Sequence, residues 1–245
     1  MAAAIAATFL VLFVLAAVRR SPLLVGLAGG LSLLAWVAGI GMGLLWAPPD
    51  RYMGEVQRVM YVHVPIVWVC LIALAVNFAG SVWWLISAQR WADSLAEAVA
   101  EAGVWFGLLG LLTGAIWGRA TWGVWWSWDP RMISVTVMLI FYSGYLVLRL
   151  AFQDQSWVRF GSAACAVSVS AVLPVVWFSV KWWASLHQLQ SDATTMDPVM
   201  RTVLLWNLAA LFGVFGSLVG VRLLRVAPLV PDEPAKRTDG ALAAP

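Results

Sequence analysis

The chain has 245 residues, 62% of them hydrophobic and 11% charged, with a mean hydropathy of +0.87. That is far too apolar for a water-soluble domain and makes the chain an integral membrane protein. Its formal charge of +3 then reports arginines that set topology, and the sequence carries no nucleic-acid signal.

Residues 2–18 are apolar and uncharged, and Arg19-Arg20-Ser21-Pro22 ends them. A secretory signal peptide places its positive charge before the apolar run, whereas here the charge follows. At the usual helical rise this segment reaches about 26 Å, just short of a hydrocarbon core, so spanning and interfacial placements both stay open. A first full span is predicted over 23–46, stopped by Trp46-Ala47-Pro48-Pro49-Asp50. A polar connection from Asp50 to Tyr61 leads to His63-Val64-Pro65 at the mouth of a second span, 64–88. Gln89 to Glu101 reads as a short charged turnaround before a third span, 102–118. Further spans are predicted over 132–150, over 160–180 with Pro174 inside it, and over 202–221. The expected organisation is an all-α, six-transmembrane helix bundle. Residues 1–22 form an apolar N-terminal segment, 23–225 the transmembrane domain, and 226–245 a disordered cytoplasmic tail rich in Pro and charge.

Charge bias orients the bundle. Nine Lys and Arg residues (Arg19, Arg20, Arg90, Arg149, Arg159, Arg222, Arg225, Lys236, Arg237) fall on one side, and six (Arg51, Arg58, Arg119, Arg131, Lys181, Arg201) on the other. The nine-residue side is predicted to be cytoplasmic.

Between the third and fourth spans lies Trp122-Gly123-Val124-Trp125-Trp126-Ser127-Trp128-Asp129-Pro130-Arg131. Tryptophans gather at membrane interfaces, but usually one or two per helix end. Five of them, with Trp117, crowd this one connection. Read as a helix, Trp122, Trp125, Trp126 and Asp129 share one face, giving an aromatic platform with a polar edge. A large planar ligand explains that density better than a belt does. Asp129 also suits the cap of a helix starting at Pro130.

His63 and His187 are the two histidines of the chain, and both fall on the platform side. Either alone is an ordinary interfacial side chain. Together they can fill both axial positions of a haem iron, whereas zinc needs three or four ligands and no Cys or third His completes the set. Cys70 and Cys165 stand singly in apolar runs, which excludes a C-x-x-C redox couple and covalent c-type haem attachment. Porphyrin faces stack on aromatic rings, and propionates pair with guanidinium groups; Arg58 and Arg131 are placed to supply them. Arg119 and Arg201 are read as headgroup-facing side chains. Nothing resembles a nucleotide-binding loop, a nucleophile or an acid–base pair, so no catalytic residue is assigned.

Trp122-Gly123-x-x-Trp126-x-Trp128-Asp129-x-Arg131, with Tyr61-Val62-His63-Val64-Pro65 and Leu186-His187-Gln188, resembles the tryptophan-rich haem-handling family of cytochrome c biogenesis proteins. In size and span count the chain is similar, from about Arg20 to Arg225, to the CcmC branch of that family. The resemblance implies a non-covalent haem b held by His63 and His187 as axial ligands, with Trp122, Gly123, Trp125, Trp126, Trp128, Asp129, Arg58 and Arg131 around it. It also implies a site on the periplasmic face of a bacterial inner membrane, and haem export by delivery to the haem chaperone CcmE. The implied partners are the small subunit CcmD and the ABC-type pair CcmA and CcmB. Ile133 stands where the family motif often has a hydroxyl residue, and residues 1–18 are an extension. The related system II haem synthetases share the motif but are usually larger. Two other classes remain: a b-type electron-transfer subunit, whose ligands generally sit within spans, and a structural membrane protein with an aromatic belt.

Overall fold

In the computed structural model, residues 21–152, 156–187 and 196–226 are described. The expectations for residues 1–20 and for the tail beyond 226 lie outside them. Among the described residues there is no β-strand, and six helical stretches are long and apolar enough to cross a membrane. The protein is an all-α, multi-pass integral membrane protein.

The helices are α1 (Pro22–Leu45), α2 (Met60–Ser87), α3 (Arg90–Trp122), α4 (Pro130–Ala151), α5 (Ser156–Ser170), α6 (Val172–Trp182) and α7 (Pro198–Val226), with a 3₁₀ turn, Glu55–Val59, running directly into α2. Their boundaries follow local chemistry. Ser21 caps α1, its hydroxyl accepting from the Leu24 N–H at 3.4 Å with Pro22 at the first helical position. Asp129 caps α4, accepting from the Arg131 N–H at 2.9 Å, and Asp197 accepts from the Val199 N–H at 2.8 Å at the start of α7. α2 closes on Ala88, whose positive φ of 55° puts it in the left-handed region.

Two expected boundaries move. Of the expected turnaround Gln89–Glu101, all but Gln89 forms the first three turns of α3, which is 33 residues long. The alanines among its charges keep it helical, and the chain reverses at Ala88-Gln89 alone. The fifth span is two helices in series, because Pro174 has no N–H for the Ser170 carbonyl. The chain breaks at Ala171, whose N–H donates one residue tighter than in an α-helix, to the Ser168 carbonyl at 3.3 Å.

α2 and α3 form the centre of the bundle, antiparallel to each other. α7 lies across both and carries α1 on its outer side, while α4 packs on α3, α5 on α2 and α4, and α6 on α4. Val69, Leu74, Ala100, Met138 and Tyr142 fill the shared core. Close approach of α1 and α7 depends on Gly39: a Cβ there would fall 2.6 Å from the Trp206 ring, whose Nε1–H donates to the Ala35 carbonyl at 2.8 Å.

One end of the bundle is tied by ions. Arg149 of α4 donates to both carboxylate oxygens of Asp93, at 2.7 and 2.9 Å, and to Glu97 at 2.9 Å. Arg222 of α7 reaches Glu101 at 2.9 Å, and Arg159 of α5 lies 3.5 Å from Asp93. Four helices meet there, and the candidate site occupies the other end.

Candidate functional site

Between α2, α3, α4, α6 and α7 lies a cavity of about 480 Å³, with His63 and His187 both on its wall. Along α3 it is lined from Trp122 down to Gly107, about 22 Å at the usual helical rise. Four glycines of α3, at 107, 110, 114 and 118, share the lining face. A Cβ at Gly114 would fall 3.0 Å from His63 Cε1, so the absent side chain is what gives the imidazole its room.

His63 lies in the first turn of α2, half-buried at the mouth of the second span. Its Nδ1 is 2.9 Å from Thr113 Oγ1, and its ring meets Trp117 edge-on at 5.6 Å. The Thr113 hydroxyl also donates to the Leu109 carbonyl at 2.8 Å.

His187 follows α6 and is held by the cap of α4. Its Nδ1 is 3.1 Å from Asp129 Oδ1, while Asp129 Oδ2 accepts from the Ser185 hydroxyl and the Leu186 N–H, each at 2.7 Å. The Trp122 ring stands against the imidazole edge-on at 5.1 Å. Asp129 therefore performs two tasks at once, starting a helix and pinning the segment that carries the second histidine. Burial raises the Asp129 carboxyl, but the hydrogen bonds from Ser185, Leu186 and the Arg131 N–H outweigh it and hold the group below the usual carboxylate range. Burial likewise holds the His187 imidazole below its ordinary value, against the opposing pull of Asp129, which keeps it neutral and able to ligate at pH 7.

The tryptophan stretch is not one helical face. α3 ends at Trp122, because Gly123 takes a positive φ of 78° and its N–H closes on the Arg119 carbonyl. Trp122 thus lines the cavity, whereas Trp125, Trp126 and Trp128 lie on the irregular connection, 61%, 40% and 81% exposed. Trp126 and Trp128 meet edge-on at 5.9 Å.

The two candidate arginines separate. Arg58 pairs with Glu55 and donates to the Gly43 and Ala47 carbonyls, so it satisfies the carboxyl end of α1. Arg131 lines the cavity; its Nη2 donates to the Trp177 carbonyl at 3.4 Å, and its Nε is buried with no acceptor among the described residues. Trp117 Nε1–H, on the same wall, is likewise buried without an acceptor. Two orphaned donors beside one apolar cavity fit a ligand that brings its own anionic oxygens.

Sequence reasoning placed Trp117 in the tryptophan cluster, but missed Thr113 and the Trp68–Trp177 pair, whose rings meet edge-on at 5.2 Å. It also missed six methionines on the cavity wall (Met53, Met60, Met132, Met138, Met196 and Met200), a polarizable lining that adapts to a large ligand. The glycine spacing in α3 was a legible signal for close approach on this face, since 107, 110, 114 and 118 keep helical period and Cys70, Val67 and His63 of α2 pack against three of them.

Comparison with known proteins agrees with this architecture. The family model CcmC, heme exporter protein C, matches residues 9–237. The chain is similar to heme exporter protein C of Haemophilus influenzae, 33% identical over 211 residues that cover 84% of this chain and 85% of the relative. It is 34% identical over 203 residues to heme exporter protein C of Escherichia coli K12, covering 80% of this chain and 78% of the relative. A putative cytochrome c biosynthesis ccmC-like mitochondrial protein of Marchantia polymorpha is 30% identical over 209 residues, 85% of this chain and 87% of that one. With a family-model match over residues 9–237, a range that contains all six candidate spans, and relatives 30–34% identical over most of their length, the chain belongs to the heme exporter protein C family.

Proposed function

We propose that this chain exports haem for c-type cytochrome maturation: it holds haem b non-covalently in the cavity and presents it to the chaperone CcmE. The observation that carries the reading is the meeting of His63 and His187, far apart in sequence, on the wall of one cavity. Its volume, about 480 Å³, falls within the range of about 300–1,000 Å³ usual for ligand sites. The donor set suits the cargo. Two imidazoles serve the iron, Trp117 and Trp122 the ring edges, and the buried Arg131 guanidinium with the Trp117 N–H a propionate. The exposed indoles of Trp125, Trp126 and Trp128 form the rim at which CcmE meets the haem edge. The rim faces the periplasm of a bacterial inner membrane, where the excess of Lys and Arg on the opposite side orients it. CcmD and the ABC-type subunits CcmA and CcmB complete the complex, and any ATP-driven step belongs to another subunit, since this chain carries no nucleotide-binding loop.

The test is an absorption spectrum of the full-length protein purified from haem-replete membranes. A six-coordinate low-spin haem is expected, with His63→Ala and His187→Ala each converting it to a mixed-spin or weakly bound form. An unchanged low-spin spectrum in either variant refutes the ligand assignment.

One observation favours a second reading. His63 sits inside α2, as the ligands of b-type electron-transfer subunits generally do. Fast reversible reduction by a quinol, with no haem passed to an acceptor, would move the assignment there.

A further inference from the structure

We propose that Asp129 and Thr113 are positioning residues that fix both imidazoles in the same tautomer, protonated at Nδ1, so that each offers the bare Nε2 to the iron. The proposal rests on the haem-binding reading above and adds what that reading leaves open, namely how two neutral histidines come to expose the correct nitrogen.

The polar partners on each side favour donation from Nδ1. The Thr113 hydroxyl has carbonyl acceptors of its own, Leu109 at 2.8 Å and Gly110 at 3.3 Å. With its hydrogen directed to them, its oxygen is left to accept from His63 Nδ1, 2.9 Å away. On the other side Asp129 accepts the Arg131 N–H at 2.9 Å, the Ser185 hydroxyl at 2.7 Å and the Leu186 N–H at 2.7 Å, so it is an acceptor throughout and takes the Nδ1 hydrogen of His187 at 3.1 Å. A neutral imidazole with its proton on Nδ1 keeps its lone pair on Nε2. Both rings line the cavity.

The two supports are unequal. A carboxylate behind His187 makes a charge-assisted bond that raises the ligand's basicity, whereas the hydroxyl behind His63 is neutral. The iron bond from His187 is the firmer of the two. Asp129 is 5% exposed, and its backbone is fixed as the cap of α4, so the ring it orients inherits the rigidity of a helix end.

The experiment begins with the haem-free, full-length protein in detergent, with 15N-labelled histidine. Because the chain has two histidines, His63→Ala assigns both sets of ring signals. Protonated Nδ1 and bare Nε2 are expected for both rings. In Thr113→Val the His63 pattern should become a mixture of tautomers while that of His187 is unchanged, and Thr113→Ser should restore the wild-type pattern. Asn keeps the helix cap in Asp129→Asn, but its amide can donate to Nδ1 and move the proton to Nε2. Haem affinity should then fall about 10- to 100-fold in Asp129→Asn, and less than about tenfold in Thr113→Val. A bare Nδ1 on either wild-type ring overturns the proposal, as does unchanged haem affinity and spectrum in both variants. If the tautomers are as expected but the wild-type protein binds no haem, the functional reading fails and the positioning geometry stands apart from it.

Discussion

At the scale of single residues, the site separates side chains that look alike in the sequence. Arg58 and Arg131 both precede or follow a motif residue closely, yet one closes a helix end and the other carries a buried Nε beside the cavity with no acceptor among the described residues. Arg131→Gln is expected to lower haem retention about 10- to 150-fold, since a hydrogen bond to a charged group contributes about 1.5–3 kcal/mol. Arg58→Gln is expected to lower the melting temperature instead, by releasing the carbonyls at the end of α1, with haem content per folded protein retained. Titration of purified variants with haem, beside their melting curves, separates the two; a haem deficit in folded Arg58→Gln contradicts the assignment. The tryptophans divide in the same way. Trp122→Phe should cost about 0.5–1.5 kcal/mol, or roughly two- to tenfold in retention, because it shortens a ring on the cavity wall. Trp128→Phe, at an 81% exposed position, should leave retention intact and reduce only the haem passed to a co-expressed acceptor.

At the scale of elements, glycine decides which helices approach closely. Gly39 on α1 faces Trp206 and Asn207, while Gly30, on the same helix, has nothing within 4 Å of the place a Cβ would take. Gly39→Leu should therefore destabilise the protein by about 1–3 kcal/mol through overpacking, whereas Gly30→Ala should be neutral or slightly stabilising. Equal melting temperatures for the two variants would show that α1 is not packed on α7 as described. The ion network at the opposite end is a second such joint. Arg149→Met leaves Asp93 and Glu97 without their shared partner in a buried setting, and a loss of about 3–5 kcal/mol is expected, read from thermal unfolding in detergent. Spectra of any haem-loaded fraction should be unchanged, since the network lies at the other end of α3 and α4 from His63 and His187.

At the scale of the whole molecule, the placement of both histidines on one cavity requires the connections before α2 and after α6 to share a membrane face. In a background free of Cys70 and Cys165, a membrane-impermeant thiol reagent should label cysteines at Tyr52 and at Trp183 from outside intact cells. A cysteine at Trp91, beside the ion network, should be labelled only after permeabilisation. Labelling of Tyr52 and Trp91 together from outside would break the six-span arrangement.

Composition and hydropathy were enough for the architecture, because a bilayer leaves an apolar chain few alternatives to helices long enough to cross it. The chemistry-bearing residue types were legible as well: two histidines, a dense run of indoles and an acid followed by Pro are local signals that survive without coordinates. Tertiary structure decided how they are used. Periodicity alone drew Trp122, Trp125, Trp126 and Asp129 onto one helical face, but Gly123 at positive φ ends α3 at Trp122 and frees Asp129 to reach His187. No local pattern announces that contact, or the pairing of Thr113 with His63, since each joins residues at least 50 positions apart through the packing of separate helices. The cavity is the same kind of fact. It lies between α2, α3, α4, α6 and α7, and the space left between packed elements is a property of their arrangement rather than of any one of them.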